Sequence, residues 1–236
     1  NIVSKNPSIQ YQSKQIDLLN LPESKLLYWP PSQIIDLLFN YPNLGSMAHS
    51  YSGIVTGDNN RQLRYHWEVN GPGWNSCVRG GGYKKWCGLR FEVINWRDDG
   101  IRIKYGSTCS RPKYAEIQML SDLCLQYTFI YQGNLGIRIS EKGDYPERAS
   151  NSIVTTTIDY HGLSAILNTR IYSYLLRILT QSIMCNDTYL ESLPIPEKNI
   201  QEFIQMGRVC YFISESETKL KILERSFHLE SFLDKK

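Results

Sequence analysis

Between residues 53 and 96 the chain alternates short period-two segments with loops rich in glycine, asparagine and basic side chains, and this pattern restricts the fold more than any other stretch. In Tyr65-His66-Trp67-Glu68-Val69 the residues Tyr65, Trp67 and Val69 share one face and His66 and Glu68 the other, which predicts a half-buried strand ended by Gly71-Pro72-Gly73. Residues 91–96 and Ile101-Arg102-Ile103-Lys104-Tyr105 predict strands in the same way, and further strands are expected over 125–131 and 153–158. Helical spacing appears elsewhere. Ser32 is a candidate N-cap for a short apolar helix that Tyr41-Pro42 stops. Residues 163–179 place Leu163, Ile166, Leu167, Ile171, Tyr174, Leu175 and Ile178 on one helical stripe. Leu193-Pro194-Ile195-Pro196 breaks the chain before another amphipathic helix from Ile200, with Ser214-Glu215-Ser216 as a candidate interruption.

These elements predict an α+β fold: a twisted mixed or largely antiparallel sheet with Gly-rich loops, flanked by N- and C-terminal helices. The expected organisation is a lead-in with a short helix over 1–42, a central domain over 43–196 and a helical segment over 197–236. With 236 residues the chain can bury a core without staples. Its six cysteines contain no C-x-x-C pair and no histidine at metal spacing, so the expectation is reduced thiols and no zinc site. No apolar run approaches the roughly 20 residues of a membrane helix, and a soluble, cytoplasmic protein is expected. The first residue is Asn1, which is read as a segment of a longer polypeptide.

The formal net charge is only +3, but it is unevenly spread. Residues 51–113 carry eleven Lys and Arg against five acids, a net +6, and both glycine loops lie there. In Thr56-Gly57-Asp58-Asn59-Asn60-Arg61 the backbone and short polar side chains are free to meet a phosphate or a base edge, or simply to form a polar turn. Asn60 and Arg61 suit base reading, since Asn pairs bidentately with adenine and Arg with guanine. Arg79-Gly80-Gly81-Gly82-Tyr83-Lys84-Lys85-Trp86 combines backbone freedom, three cations and two rings, as close approach to a sugar-phosphate backbone requires. Its bland alternative is a solvated loop. Trp86 and Trp96 are read as core anchors, and Arg102 and Lys104 as cations on the wet face of their strand.

No P-loop or dinucleotide fingerprint is present. Asp98-Asp99-Gly100 reads as a turn, and His49, His66, His161 and His228 have no sequence partners for acid, base or metal chemistry. The chain itself is therefore expected to be non-catalytic.

GIVTGDNNR, RGGGYKKW, FEVINWRDDG, GLSAILNTRIYSYLL and LPIP occur in that order. Together they resemble the target-recognition region of the large adenine-specific DNA methyltransferases of restriction-modification and phage-exclusion systems, over roughly residues 44–196. LPIPEKNIQEFI is also similar to the exit from a recognition domain in type I specificity subunits. Two positions depart from the pattern: Gln62 stands where an aromatic usually follows the arginine, and Cys87 where tyrosine is common. Residues 111–160 match poorly.

The resemblance implies a DNA target-recognition domain at 43–196 whose partners are double-stranded DNA and an upstream methyltransferase domain. That upstream domain would hold S-adenosylmethionine and an Asn-Pro-Pro-aromatic motif beside the flipped base, neither of which this chain supplies. Thr56, Asn59, Asn60, Arg61, Arg79, Tyr83, Lys84, Lys85, Arg102 and Lys104 are the expected DNA contacts. A reading from another class is a protein-interaction module that docks a partner through the helices from residue 163 onward.

Overall fold

The computed structural model describes residues 27, 29–106, 122–130, 133–180 and 182–227. It is α+β, with two four-stranded sheets and helices at both ends of the described chain. Helix α1 (Ser32–Asn40) leads into a 3-10 turn (Leu44–Ser46) and strand β1 (Ala48–Tyr51). The short helix α2 (Asn59–Gln62) runs into β2 (Leu63–Tyr65), and β3 (Trp74–Val78), β4 (Glu92–Asn95) and α3 (Arg97–Lys104) follow. Next come β5 (Leu125–Thr128), β6 (Ile137–Ile139), β7 (Tyr145–Pro146) and β8 (Ser150–Thr155). Four helices complete the order: α4 (Tyr160–Leu167), α5 (Arg170–Thr180), α6 (Asp187–Glu191) and α7 (Ile200–Thr218).

The first sheet, β1-β8-β5-β6, is antiparallel throughout. Strand alternation turns Leu125, Tyr127, Ile137, Ile139 and Ile153 toward one large core, where they meet Leu163, Ile166, Leu167, Leu175, Leu176 and Leu179 of α4 and α5. On the opposite face Gln126, Arg138 and Ser152 form a cross-strand row, since Gln126 pairs with both neighbours, and all three are buried. The second sheet, β2-β4-β3-β7, is mixed and has a smaller core of Ile54, Leu63, Cys77, Ile94, Trp96 and Ile103.

One side chain joins α4 to β6. Asn168, 4 % exposed, ends α4 and turns its amide onto the outer edge of β6. The Ile137 backbone N–H donates to its Oδ1 at 2.9 Å, and its Nδ2 donates to the Ile137 carbonyl at 2.9 Å. The amide thus acts as one residue of an extra strand and satisfies the Ile137 N–H, which burial would leave unpaired. This splits the single helix expected over 163–179 into α4 and α5. Asp187 makes a second tie: its Oδ1 accepts from Ser50 at 2.9 Å, Tyr127 at 2.6 Å and Asn151 at 3.0 Å. Burial pushes the Tyr127 phenol well above its ordinary range, so it stays protonated and donates. Helix α7 packs on α4 so closely that a methyl group at Gly207 would clash with the His161 carbonyl.

Several local expectations fail for identifiable reasons. The strand expected over 65–69 ends at Tyr65, because the Tyr65 carbonyl accepts from Glu68 N at 3.0 Å and its N–H donates to the Glu68 carboxylate at 2.9 Å. Tyr65 and Trp67 remain 45 % and 50 % exposed and stack on each other, ring centroids 4.7 Å apart. Residues 101–105 form the end of α3 instead of a strand. Asp98, Asp99 and Gly100 adopt φ of 51°, 57° and 69°, a left-handed turn, and of the apolar residues that follow only Ile103 reaches the core, while Ile101 and Tyr105 stay exposed. The strand over 153–158 stops at Thr155, whose hydroxyl accepts from Thr157 N and Ile158 N and donates to the Met47 carbonyl. Ser214 and Ser216 leave α7 intact; Ser216 Oγ donates to the Phe212 carbonyl one turn back. Trp96 is buried, as a core anchor should be, whereas Trp86 is half-buried. Cys109 and His228 lie outside the described residues.

Replacing Asn168 with Ala leaves the buried Ile137 N–H without its acceptor, which costs about 1–3 kcal/mol, while the Ile137 carbonyl keeps the Trp86 N–H. Asn168→Ala is expected to lower stability by about 2 kcal/mol and the melting temperature by roughly 4–8 °C, read by thermal or urea unfolding.

Candidate functional site

Three segments run parallel and side by side: residues 53–54, 77–79 and 145–148. Ile54 N donates to the Pro146 carbonyl at 2.7 Å, Arg148 N to the Ile54 carbonyl at 3.0 Å, and Glu147 N to the Val78 carbonyl at 2.9 Å. Both glycine loops therefore leave the same end of this ribbon, one on each side of residues 145–148, and Arg148 emerges between them. The contact at this end is tight. A Cβ at Gly80, where φ is +82°, would sit 2.5 Å from the Ala149 carbonyl oxygen, and one at Gly53 would overlap the Glu147 carbonyl.

The first loop is locked by its own polar residues. Asp58 Oδ1 accepts from Arg61 N at 3.1 Å and caps α2, while the buried Thr56 bonds Asn59 through their side-chain oxygens. Thr56 and Asn59 are spent on the turn, and Asn60 and Arg61 stand exposed beyond it. Gln62, at the departure noted in the sequence, is buried.

The second loop divides in two. Arg79, with its side chain 47 % exposed, is held by Glu92 at 3.2 Å and Glu147 at 3.9 Å. Gly81 and Gly82 face open space, and Tyr83 is 57 % exposed. From there the loop turns inward. Lys85 Nζ donates to the Asn168 carbonyl at 2.6 Å and lies 5.7 Å from the Tyr83 ring centroid. Lys84 packs over Gly88 beside Glu224, and burial, with Lys221 close by, lowers its proton affinity. Trp86 extends the first sheet, its N–H donating to the Ile137 carbonyl and its carbonyl accepting from Ile139 N, each at 2.8 Å. The Glu224 carboxylate then accepts from Leu89 N at 2.9 Å and Arg90 N at 3.0 Å.

Beneath the glycines lies a residue that the sequence reading did not single out. Arg138 is 1 % exposed and has no ion pair among the described residues. Its Nη1 donates to Thr128 Oγ1 and its Nη2 to Ser150 Oγ, each at 3.3 Å, and Thr128 Oγ1 donates to the Gly82 carbonyl at 3.2 Å. Burial, with the charge of Arg90 nearby, pushes its pKa down to about 10, which leaves it cationic at neutral pH. The one available signal was an arginine between isoleucines in Ile137-Arg138-Ile139. Arg90 is compensated by contrast, with Asp144 at 2.7 Å and Glu141 at 3.0 Å.

Arg102 and Lys104 belong elsewhere. They stand on α3, which follows Trp96 at the opposite end of the second sheet, where Asn95 pairs with Trp74. Arg102 is exposed, whereas Lys104 is held by Asp99 at 2.7 Å and lies over the Trp96 ring at 5.3 Å. The end of the ribbon thus gathers Asn60, Arg61, Arg79, Tyr83 and Arg148 around open glycine backbone. Chemically it suits a ligand that is anionic along its length and presents flat rings. Among the described residues no group of three or more His, Cys, Asp and Glu side chains could hold a metal ion.

No family model matches this sequence. The chain is similar to the adenine-specific methyltransferase PglX of Lacticaseibacillus casei (strain Zhang), with 26 % identity over 42 % of this chain. The match spans about a tenth of that relative's own length.

Lys85 and Arg148 separate scaffold from surface. Lys85→Met removes a charged hydrogen bond to a helix-ending carbonyl and is expected to cost about 1.5–3 kcal/mol. Arg148→Gln, at an exposed side chain, should shift stability by less than about 0.5 kcal/mol in the same denaturation experiment.

Proposed function

We propose that this chain is a DNA target-recognition segment of a site-specific adenine-N6 DNA methyltransferase in a restriction-modification or phage-exclusion system. The observation that carries the reading is the convergence of both glycine loops, with Arg61, Arg79 and Arg148, on one end of the parallel ribbon. The motif order and the similarity to an adenine-specific methyltransferase support it. In this reading residues 43–196 are the recognition unit and work in the cytoplasm. Arg61 and Arg148 meet phosphates, and the open backbone at Gly81 and Gly82 lets the loop approach the sugar-phosphate chain. Lys84, Lys85 and Lys104 act indirectly, by fixing loop and helix. S-adenosylmethionine and the methyl-transfer chemistry belong to a catalytic domain upstream, and no step of that transfer falls to residues of this chain.

A second reading has a specific observation behind it. Met206, Val209, Phe212 and Ile213 leave the outer side of α7 between 54 % and 68 % exposed, as a surface that docks another helix would. The two readings differ in which residues matter.

Titrating the chain with duplex DNA at two salt concentrations separates them. The DNA reading expects log K to fall with log salt by about 0.9 per phosphate neutralised, and the double variant Arg61→Glu/Arg148→Glu to lose roughly two phosphates' worth of slope with an unchanged melting temperature. Binding without a salt slope, or a slope the double variant does not alter, would sink it.

A further inference from the structure

Beside the glycine loop a cavity of about 290 Å³ opens on the same end of the molecule, walled by Tyr83, Ile130 and Leu135, with Asn134 and Thr128 among its polar groups. Its size is near the lower limit of small-ligand sites, roughly 300 Å³, so it holds one ring system and its immediate substituents, not a length of chain. Tyr83 and Ile130 are 57 % and 52 % exposed and offer flat apolar surface. Asn134 is exposed and supplies both a donor and an acceptor. Thr128 connects the cavity to Arg138, whose buried guanidinium has no carboxylate partner and whose Nε has no hydrogen-bond partner among the described residues. A cation directly behind the wall disfavours positively charged ligands and favours rings rich in nitrogen and carbonyl acceptors.

We propose that this cavity receives one base of the bound DNA, stacked on Tyr83 and read along its edge by Asn134. The proposal rests on the DNA-recognition reading and adds to it the residues that determine sequence. The base is adenine, because Asn presents the donor-acceptor pair that complements its N6 and N7. Thr128 and Arg138 act as positioning residues: they hold the Gly82 carbonyl and polarise the wall, and touch no base. Stacking of a single base on an aromatic side chain is sequence-tolerant, so Tyr83 contributes affinity and Asn134 contributes choice.

Selection from a random duplex pool by the full chain, followed by sequencing, tests this, with Asn134→Ala, Tyr83→Ala and Tyr83→Phe alongside the wild type. The wild type is expected to enrich a motif containing a fixed adenine. Asn134→Ala should enrich the same motif with that one position randomised. Tyr83→Ala should weaken motif binding about 5- to 100-fold, and Tyr83→Phe should restore most of it. If the wild type enriches a motif that all three variants enrich equally, the cavity assignment is wrong and DNA recognition stands. If the folded wild type enriches no duplex, recognition and cavity assignment fall together.

Discussion

The amide of Asn168 is the contact on which the remaining architecture depends. Its side chain completes the edge of β6, and its own carbonyl receives Lys85. One residue therefore ends a helix, closes a sheet and anchors the basic loop. The alternative, a continuous helix across residues 160–180, would leave the Ile137 N–H buried without a partner. The large core of α4 and α5 against the first sheet forms only if the helix breaks there.

The same economy governs the charges. Lysines and arginines that look alike in the sequence divide into those used inside the fold and those left outside. Lys85, Lys104 and Arg90 each find a carbonyl or a carboxylate, and Arg138 is buried on hydroxyls. Arg61 and Arg148 reach solvent. A local excess of positive charge is thus partly an internal framework. The field it casts outward comes from fewer residues than the count suggests.

The α+β class, the short first helix, β4 and the stop at Leu193-Pro194 were legible because each rests on local rules of periodicity and proline geometry. The strand proposed at 101–105 failed because alternation of apolar residues does not reveal a left-handed turn, and Asp98-Asp99-Gly100 supplies one. Tyr65 and Trp67 share one side as expected, but they satisfy each other by stacking and not by facing the core. The motif residues Leu167-Asn168-Thr169 were noticed as a signature without a mechanism. Their role is a side-chain contact to residue 137, which no local pattern encodes. Of the site, the two loops were visible from glycine and charge. Arg148 was not, because its place comes from the register that brings residues 54, 78 and 147 side by side, and Arg138 and Asn134 were not, because theirs come from the pairing of β6 with β5 and from the cavity beside Gly82 and Tyr83.

The pairing of Asn43 with Pro194 has a topological meaning. Leu44 N donates to the Leu193 carbonyl and Ile195 N to the Pro42 carbonyl, each at 2.8 Å, and Tyr172 hydroxyl bonds the Pro194 carbonyl. The long stretch between these residues enters and leaves at a single point. The chain before Pro42 and the chain after Ile195 therefore leave side by side, and the stretch between them is a loop closed at its own base. Because α7 returns onto α4, and Glu224 onto Leu89 and Arg90, the segment beyond the closure clasps the stretch it has just left.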